Sequence, residues 1–191
     1  MVTQAEFEST IAQFDDLEPT RSPLYKMGLN LLKGGFEVEA YLLILATWNF
    51  ARFRYVLTSF DLGRFRSAIE ATKPAFERLA AHPFETANFD EIADDVYEVY
   101  STFKQLVDQT GASKLLHFKH PSLFVMWDTA IRKRFGIRNR AEPHDYLRFL
   151  KMMQKDFGHI KWTRTDKTLA KAIDEYNFVI AHPRKRRKAE K

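Results

Sequence analysis

The stretch that decides the centre of the fold reads Gln109-Thr110-Gly111-Ala112-Ser113-Lys114-Leu115-Leu116-His117-Phe118, and after Lys119-His120 it continues Pro121-Ser122-Leu123-Phe124-Val125-Met126-Trp127-Asp128. A glycine after a helical run commonly ends a helix, so Gly111 predicts a turn. A short apolar helix follows to about Phe118, and Pro121 stops it. Asp128 is a favoured residue in front of a first helical turn and predicts that another helix begins there.

The segments on both sides of this stretch show helical periodicity, and no run alternates as a strand would. We predict an all-α fold with a single domain over residues 1–182, two helical lobes being the alternative. The predicted helices include one marked by Phe7, Ile11 and Phe14, and others over 24–33, 36–58, 61–82, 88–110 and 142–157. We expect an interruption at Pro74 and a last helix that runs from a Thr165 cap to about 181.

The composition excludes several chemistries. None of the 191 residues is a cysteine, so disulfides, thiolate zinc sites, iron–sulfur clusters and a Cys nucleophile are ruled out. The N-terminus shows no targeting pattern, and the most apolar run, 40–46, is too short to span a bilayer. We therefore expect a cytoplasmic protein.

Charge is concentrated in two places. Residues 111–140 hold seven Lys or Arg side chains and a single acid, Asp128, while residues 184–191 hold six bases and one acid. The tail over 183–191 has no apolar side chain to bury and is predicted to be disordered. Charge separated in this way steers polyanions to one face of a protein.

Within residues 111–136 the chain resembles the helix-hairpin-helix DNA glycosylase superfamily, which includes endonuclease III and the 8-oxoguanine glycosylases. Lys114 stands near the start of the helix after the turn, as in the lyase members. Asp128-Thr129-Ala130-Ile131 is similar to the family's V-D-T-H-V pattern, and Arg134-Phe135-Gly136 is similar to R-L-G. The chain also resembles uncharacterised prokaryotic proteins with an S-K-L-L-H-F…P-x-L-F…D pattern, which implies no activity.

The resemblance implies a DNA-binding protein of the base-excision type, with a helix-hairpin-helix-like centre. It implies catalytic roles for Asp128 and Lys114, duplex DNA as the partner and association with the nucleoid. The sequence has no HExxH or HxE pattern, so we expect no metal or other cofactor. The residues that it implies for nucleic-acid binding are Gly111, Ser113, Lys119, Trp127, Arg132, Lys133, Arg134, Arg138 and Arg140.

Each assignment has a plainer alternative. Asp128 fits a simple helix cap, Lys114 a surface lysine, and the turn an ordinary connection between helices. An extruded base needs aromatic faces, and Trp127 is preferred because it neighbours Asp128, although core packing explains it too. The functional alternatives are a non-catalytic nucleic-acid-binding domain and a protein-interaction domain. The catalytic hypothesis requires that Lys114 and Asp128 face one cleft.

Overall fold

A computed structural model describes residues 1–137 and 141–182, and every regular element in these two ranges is helical. This confirms the predicted all-α class for that part of the chain, whereas the predicted disordered tail over 183–191 lies outside it. None of the described helices is both long and apolar enough to cross a membrane. The elements are α1 (Gln4–Leu17), α2 (Arg21–Lys33), α3 (Glu37–Trp48), α4 (Phe50–Val56), a 3₁₀ helix (Leu57–Ser59), α5 (Leu62–Leu79), α6 (Ala93–Lys119), α7 (Thr129–Arg134), α8 (Pro143–Phe157) and α9 (Leu169–Ala181).

A large buried cluster joins most of these helices. It extends from Phe7 in α1 to Tyr176 in α9 and is rich in aromatic rings. Tyr100 stacks on Tyr146 with the ring centroids 4.6 Å apart, and Trp127 meets Tyr146 edge-on at 4.8 Å. Aromatic pairs in these arrangements stabilise a core beyond the area that they bury.

Helix α6 contains the first part of the decisive stretch, up to Lys119, and its backbone breaks at one residue. Asp108 has φ 69° and ψ 174°, whereas Gly111 has no positive φ. The Asp108 carboxylate accepts hydrogen bonds from the N–H groups of Thr110 (2.7 Å) and Gly111 (2.8 Å), so it caps the second half of the helix. The prediction of a turn at Gly111 is therefore wrong, because the break lies at Asp108.

Gly111 has a packing role instead. A Cβ atom added at this position would lie 2.9 Å from Val107 Cγ2 and 3.1 Å from Leu45 Cδ2. A larger residue would crowd Val107 of α6 first and Leu45 of α3 second, so glycine suits this close packing.

The predicted single helix over 36–58 is divided at Asn49, which has φ −128° and ψ 17°. The Asn49 carbonyl accepts hydrogen bonds from the N–H groups of Arg52 (2.9 Å) and Phe53 (2.8 Å). In a continuous helix the Arg52 N–H would bond to the Trp48 carbonyl. The break therefore leaves the Trp48 carbonyl available to another donor.

Helix α5 continues through Pro74, so the predicted interruption is wrong. Proline lacks the N–H that would bond to the carbonyl of Glu70. The apolar face of the helix is buried on both sides of the proline, and this packing outweighs the lost hydrogen bond; it includes Phe65, Ile69, Phe76 and Leu79.

The later helices begin close to where capping residues predict. Asp128 starts α7, and its Oδ1 accepts a hydrogen bond from the Ile131 N–H at 2.8 Å. Helix α9 begins after Thr168 and not after the predicted Thr165, because the Thr168 hydroxyl accepts from the Lys171 N–H at 3.2 Å. Two threonines three residues apart compete for this role, and local pattern alone does not separate them.

Candidate functional site

An open cleft of about 680 Å³ lies where several helices begin or end. The α3–α4 break, the second half of α6, the first turn of α7, the end of α9 and the start of α2 surround it. Its lining contains four cationic side chains and a single carboxylate: Arg21, Arg52, Lys114, Lys133 and Asp128. This balance suits a ligand with negative charge.

Lys114 lines the cleft and is almost completely buried, with 6% of its surface exposed. Its Nζ donates a hydrogen bond to the Trp48 carbonyl that the α3–α4 break leaves available. Burial disfavours the charged amine and lowers the pKa of Lys114 to about 8, against the opposing charges of Asp174 and Asp128. At pH 7 about a tenth of such an amine is neutral, roughly 300 times the neutral fraction of an ordinary lysine.

Asp128 reaches the same cleft from the start of α7. Its Oδ1 caps the helix, and its Oδ2 lies 3.3 Å from Nε2 of His182 at the end of α9. Burial acts to raise the pKa of Asp128, but hydrogen bonds from His182 and the Ile131 N–H, with the charge of Lys114, hold the pKa below its usual value. The carboxylate is therefore ionised at neutral pH.

A hydroxyl group fixes the two segments that carry these residues. The hydroxyl of Ser113, which precedes Lys114, lies within donating distance of the carbonyls of Thr110 (3.0 Å) and Trp127 (3.2 Å), and it accepts a hydrogen bond from the Trp127 N–H at 3.3 Å. Trp127 in turn precedes Asp128. Lys114 and Asp128 thus line one cleft, as the catalytic hypothesis requires. Ser113 is fully buried between the two segments that carry them.

The aromatic lining differs from the expected one. Trp127 is fully buried, and its Nε1–H donates to the Gln109 carbonyl at 2.9 Å, which is the core-packing alternative. The cleft is lined by Trp48, Phe50 and Phe178 instead, and 59% of the Phe50 surface is exposed. The face of Phe50 is thus open to a ligand.

Two of the basic residues expected to bind phosphate have partners within the protein. Arg132 is 2% exposed, donates to the Thr110 hydroxyl at 2.9 Å and lies over the Trp127 ring. Lys119 pairs with Glu37 at 2.8 Å. Both side chains therefore stabilise contacts between segments in this structure.

The other basic residues that we expected to bind phosphate are exposed to solvent or lie outside the described residues. Lys133 and Arg134 are exposed, and Lys133 lines the cleft. Arg138 and Arg140 lie outside the described residues.

Sequence reasoning missed several contributors to the cleft. Arg21, Arg52 and His182 come from segments far from residues 111–136, and nothing in their local pattern marks them. Asn49 also lines the cleft and is 5% exposed. An asparagine within an aromatic helical run was the one available signal, because it favours a helix end over a helix interior.

A second cleft, of about 560 Å³, lies between α2 and the segment before α9. Two of its basic side chains pair with carboxylates: Arg164 bonds to Asp166 at 2.7 Å and to Asp15 at 3.0 Å, and Lys167 bonds to Asp15 at 2.9 Å. The cleft that holds Lys114 is the better candidate, because its lining includes a buried amine with a strongly lowered pKa.

The histidines of the decisive stretch have structural roles. His117 is buried between the Tyr25 hydroxyl (2.8 Å) and the Phe124 carbonyl (2.6 Å), and burial lowers the pKa of His117 to about 4. His120 lies 2.8 Å from the Leu79 carbonyl. Across residues 1–137 and 141–182, no three His, Asp or Glu side chains come together as a metal site would need.

Comparisons with family models, with curated proteins and with solved structures find no match to this chain. The fold and the site therefore define its class: an all-α protein whose cationic, aromatic cleft is lined by both a lysine with a lowered pKa and an ionised aspartate.

Proposed function

We propose that this protein binds DNA and removes a damaged base, in the manner of the helix-hairpin-helix glycosylases that its sequence resembles. The observation that supports the proposal is that Lys114, buried with a lowered pKa, and ionised Asp128 line one cleft. Perturbed ionisable groups that share a cleft are typical of catalytic sites.

The rest of the lining suits a nucleotide drawn out of a duplex. Arg52 and Lys133 supply positive charge for the phosphates, and Arg21, which also pairs with Glu18 at 3.1 Å, adds to it. The rings of Trp48 and Phe50 supply faces on which an extruded base can stack. Such a protein would act on the nucleoid.

The proposed reaction uses Asp128 and Lys114 in turn. As the glycosidic bond breaks, positive charge develops on the sugar, and the Asp128 carboxylate stabilises this state more than the ground state. The neutral Lys114 amine attacks C1′, and the base leaves with the bonding electron pair. The departing base takes the proton that the nitrogen loses. The sugar ring then opens, its oxygen takes a proton from water, and a Schiff base results, from which the strand can be cut.

The proposed protein differs from the family in the groups that contact phosphate. A hairpin would offer backbone N–H groups to a phosphate, but those of Thr110 and Gly111 are bonded to Asp108. We therefore place the phosphate contacts on the Lys and Arg side chains of the cleft.

The deciding experiment is single-turnover base release from duplexes that carry uracil, 8-oxoguanine or an alkylated purine. Asp128→Asn should abolish release while leaving DNA affinity equal or better, because the lost charge repelled phosphate. Asp61→Asn is the matched control, since Asp61 caps α5 through the Arg64 N–H at 3.0 Å but does not line the cleft. No release from any lesion, or equal release by all three proteins, would overturn the assignment.

Borohydride trapping tests Lys114 separately. Wild type should give a covalent complex with lesion DNA, and its yield should rise with pH through about 8 as the amine loses its proton. Lys114→Met should lose the complex, whereas Lys119→Met, a neighbouring lysine outside this cleft, should keep it. Trapping that survives Lys114→Met would assign the nucleophile elsewhere.

The second candidate is a non-catalytic nucleic-acid-binding domain. It is favoured by the cap of α7, which accounts for Asp128 without any chemistry. Such a protein would bind duplexes more weakly as salt rises, with or without a lesion, and would release no base. A protein-interaction domain would show no salt-dependent DNA binding at all.

A further inference from the structure

The cleft contains a buried donor that the proposed reaction does not use. Asn49 is 5% exposed, and its Nδ2 is the one buried side-chain nitrogen or oxygen of the described residues that lacks a hydrogen-bond partner. Buried polar groups are normally paired, because an unpaired one has lost its water without replacement. An exception in a cleft indicates a partner that arrives with a ligand.

The place of Asn49 in the chain excludes the usual local role. Asparagine at a helix start commonly caps the helix, but the Asn49 side chain makes no capping hydrogen bond to α4. It lies between Trp48, whose carbonyl holds Lys114, and Phe50, whose ring is exposed at the cleft. A base that stacks on these rings would bring its polar edge to the Asn49 amide.

We propose that Asn49 reads the bound base, donating from Nδ2 to an acceptor on its edge, and that with the amide in this orientation the cleft prefers keto bases to amino bases. The inference rests on the proposed function in one respect, that the cleft receives a nucleobase. A site built around a polar group discriminates strongly, because the wrong ligand leaves that group unpaired.

The test compares binding of deoxyinosine and deoxyadenosine 5′-monophosphates, which carry an oxygen and an amino group at the same purine position. Calorimetric titration of wild type should favour the inosine nucleotide by about tenfold, the ratio expected for one hydrogen bond. Asn49→Asp exchanges the donor for an acceptor of the same shape and should reverse the preference. Asn30→Asp, the same change on an exposed residue of α2, should leave it as in wild type.

Asn49→Ala provides the second variant, because a buried carboxylate can prevent folding. It breaks no hydrogen bond of the Nδ2 donor, so the protein should fold with a melting temperature close to that of wild type, and it should lose the preference. The inference is overturned if wild type binds neither nucleotide, or if folded Asn49→Asp or Asn49→Ala keeps the wild-type ranking. Binding does not depend on catalysis, so absence of base release with an intact ranking would defeat the proposed chemistry alone.

Discussion

At the scale of single residues, the chemistry of the cleft depends on where water is excluded. Lys114 and Asp128 are both partly removed from solvent, yet burial prevails only for the lysine. The hydrogen bonds to Asp128 favour its charged form, whereas the Trp48 carbonyl accepts from Lys114 in either protonation state. The site thereby combines a stable negative charge with an amine that is neutral for part of the time.

The free energy of unfolding of Lys114→Met should fall relative to that of wild type as the pH rises from 7 to 9.5. Between the folded pKa of about 8 and the ordinary value of 10.5, the unfolded chain holds a proton that the folded protein lacks. The free energy of unfolding of wild type therefore gains about 2 kcal/mol over this range, a gain that methionine cannot make. Urea denaturation at both pH values measures the difference, with the exposed Lys26→Met as the control. Parallel changes in wild type and Lys114→Met would contradict the burial of this charge.

At the scale of elements, two broken helices create the site. The break at Asn49 frees the carbonyl that holds Lys114, and the break at Asp108 starts the half-helix on which Lys114 lies. Each break is stabilised locally, by backbone hydrogen bonds to the Asn49 carbonyl and by the Asp108 side chain. Continuous helices at these two places would lose both arrangements.

Substitutions at Asp108 should separate the contribution of its side-chain cap to stability from the contribution of its backbone conformation. Asp108→Ala should cost about 1–2 kcal/mol, because it removes the cap and keeps a positive φ. Asp108→Gly should cost less, since glycine adopts that φ without strain. Alanine and glycine at the exposed Gln105, inside the same helix, should rank in the opposite order. Denaturant unfolding of the four variants decides the matter, and an alanine at least as stable as glycine at position 108 would refute the interpretation.

At the scale of the whole molecule, a buried ion network joins the first and last helices. Glu175 in α9 pairs with Lys167 at 2.7 Å and with Lys171 at 3.2 Å, and Lys167 also pairs with Asp15 in α1. Burial disfavours the charge on Lys171, but the nearby Asp174 and Glu175 outweigh it and raise the pKa of Lys171. The network thus holds in place the helix whose end brings His182 to Asp128.

Glu175→Gln should destabilise the protein by about 2–3 kcal/mol, because each buried lysine loses a charged partner but keeps one carboxylate, Asp15 for Lys167 and Asp174 for Lys171. Glu70→Gln is the control, since the pair of Glu70 and Lys73 is largely exposed and should contribute less than about 1 kcal/mol. Thermal and urea unfolding of both variants measure the difference. Similar stabilities would show that the network does not depend on the charge of Glu175.

The sequence by itself determined the helical class and most helix positions, because periodicity and caps are properties of neighbouring residues. It also singled out Lys114 and Asp128, whose segments are close along the chain. The break in α6 was predicted at the wrong residue, because glycine commonly ends a helix. Asp108 has a positive φ, which residues other than glycine rarely adopt.

Only the tertiary structure decided which side chains the cleft exposes. Arg132 and Lys133 are neighbours in sequence, yet the first is buried over Trp127 and the second is exposed at the cleft. Arg21, Arg52 and His182 join the site from three other helices or their ends. Burial and charge depend on contacts between residues far apart in the chain, and a local pattern of residues does not contain those contacts.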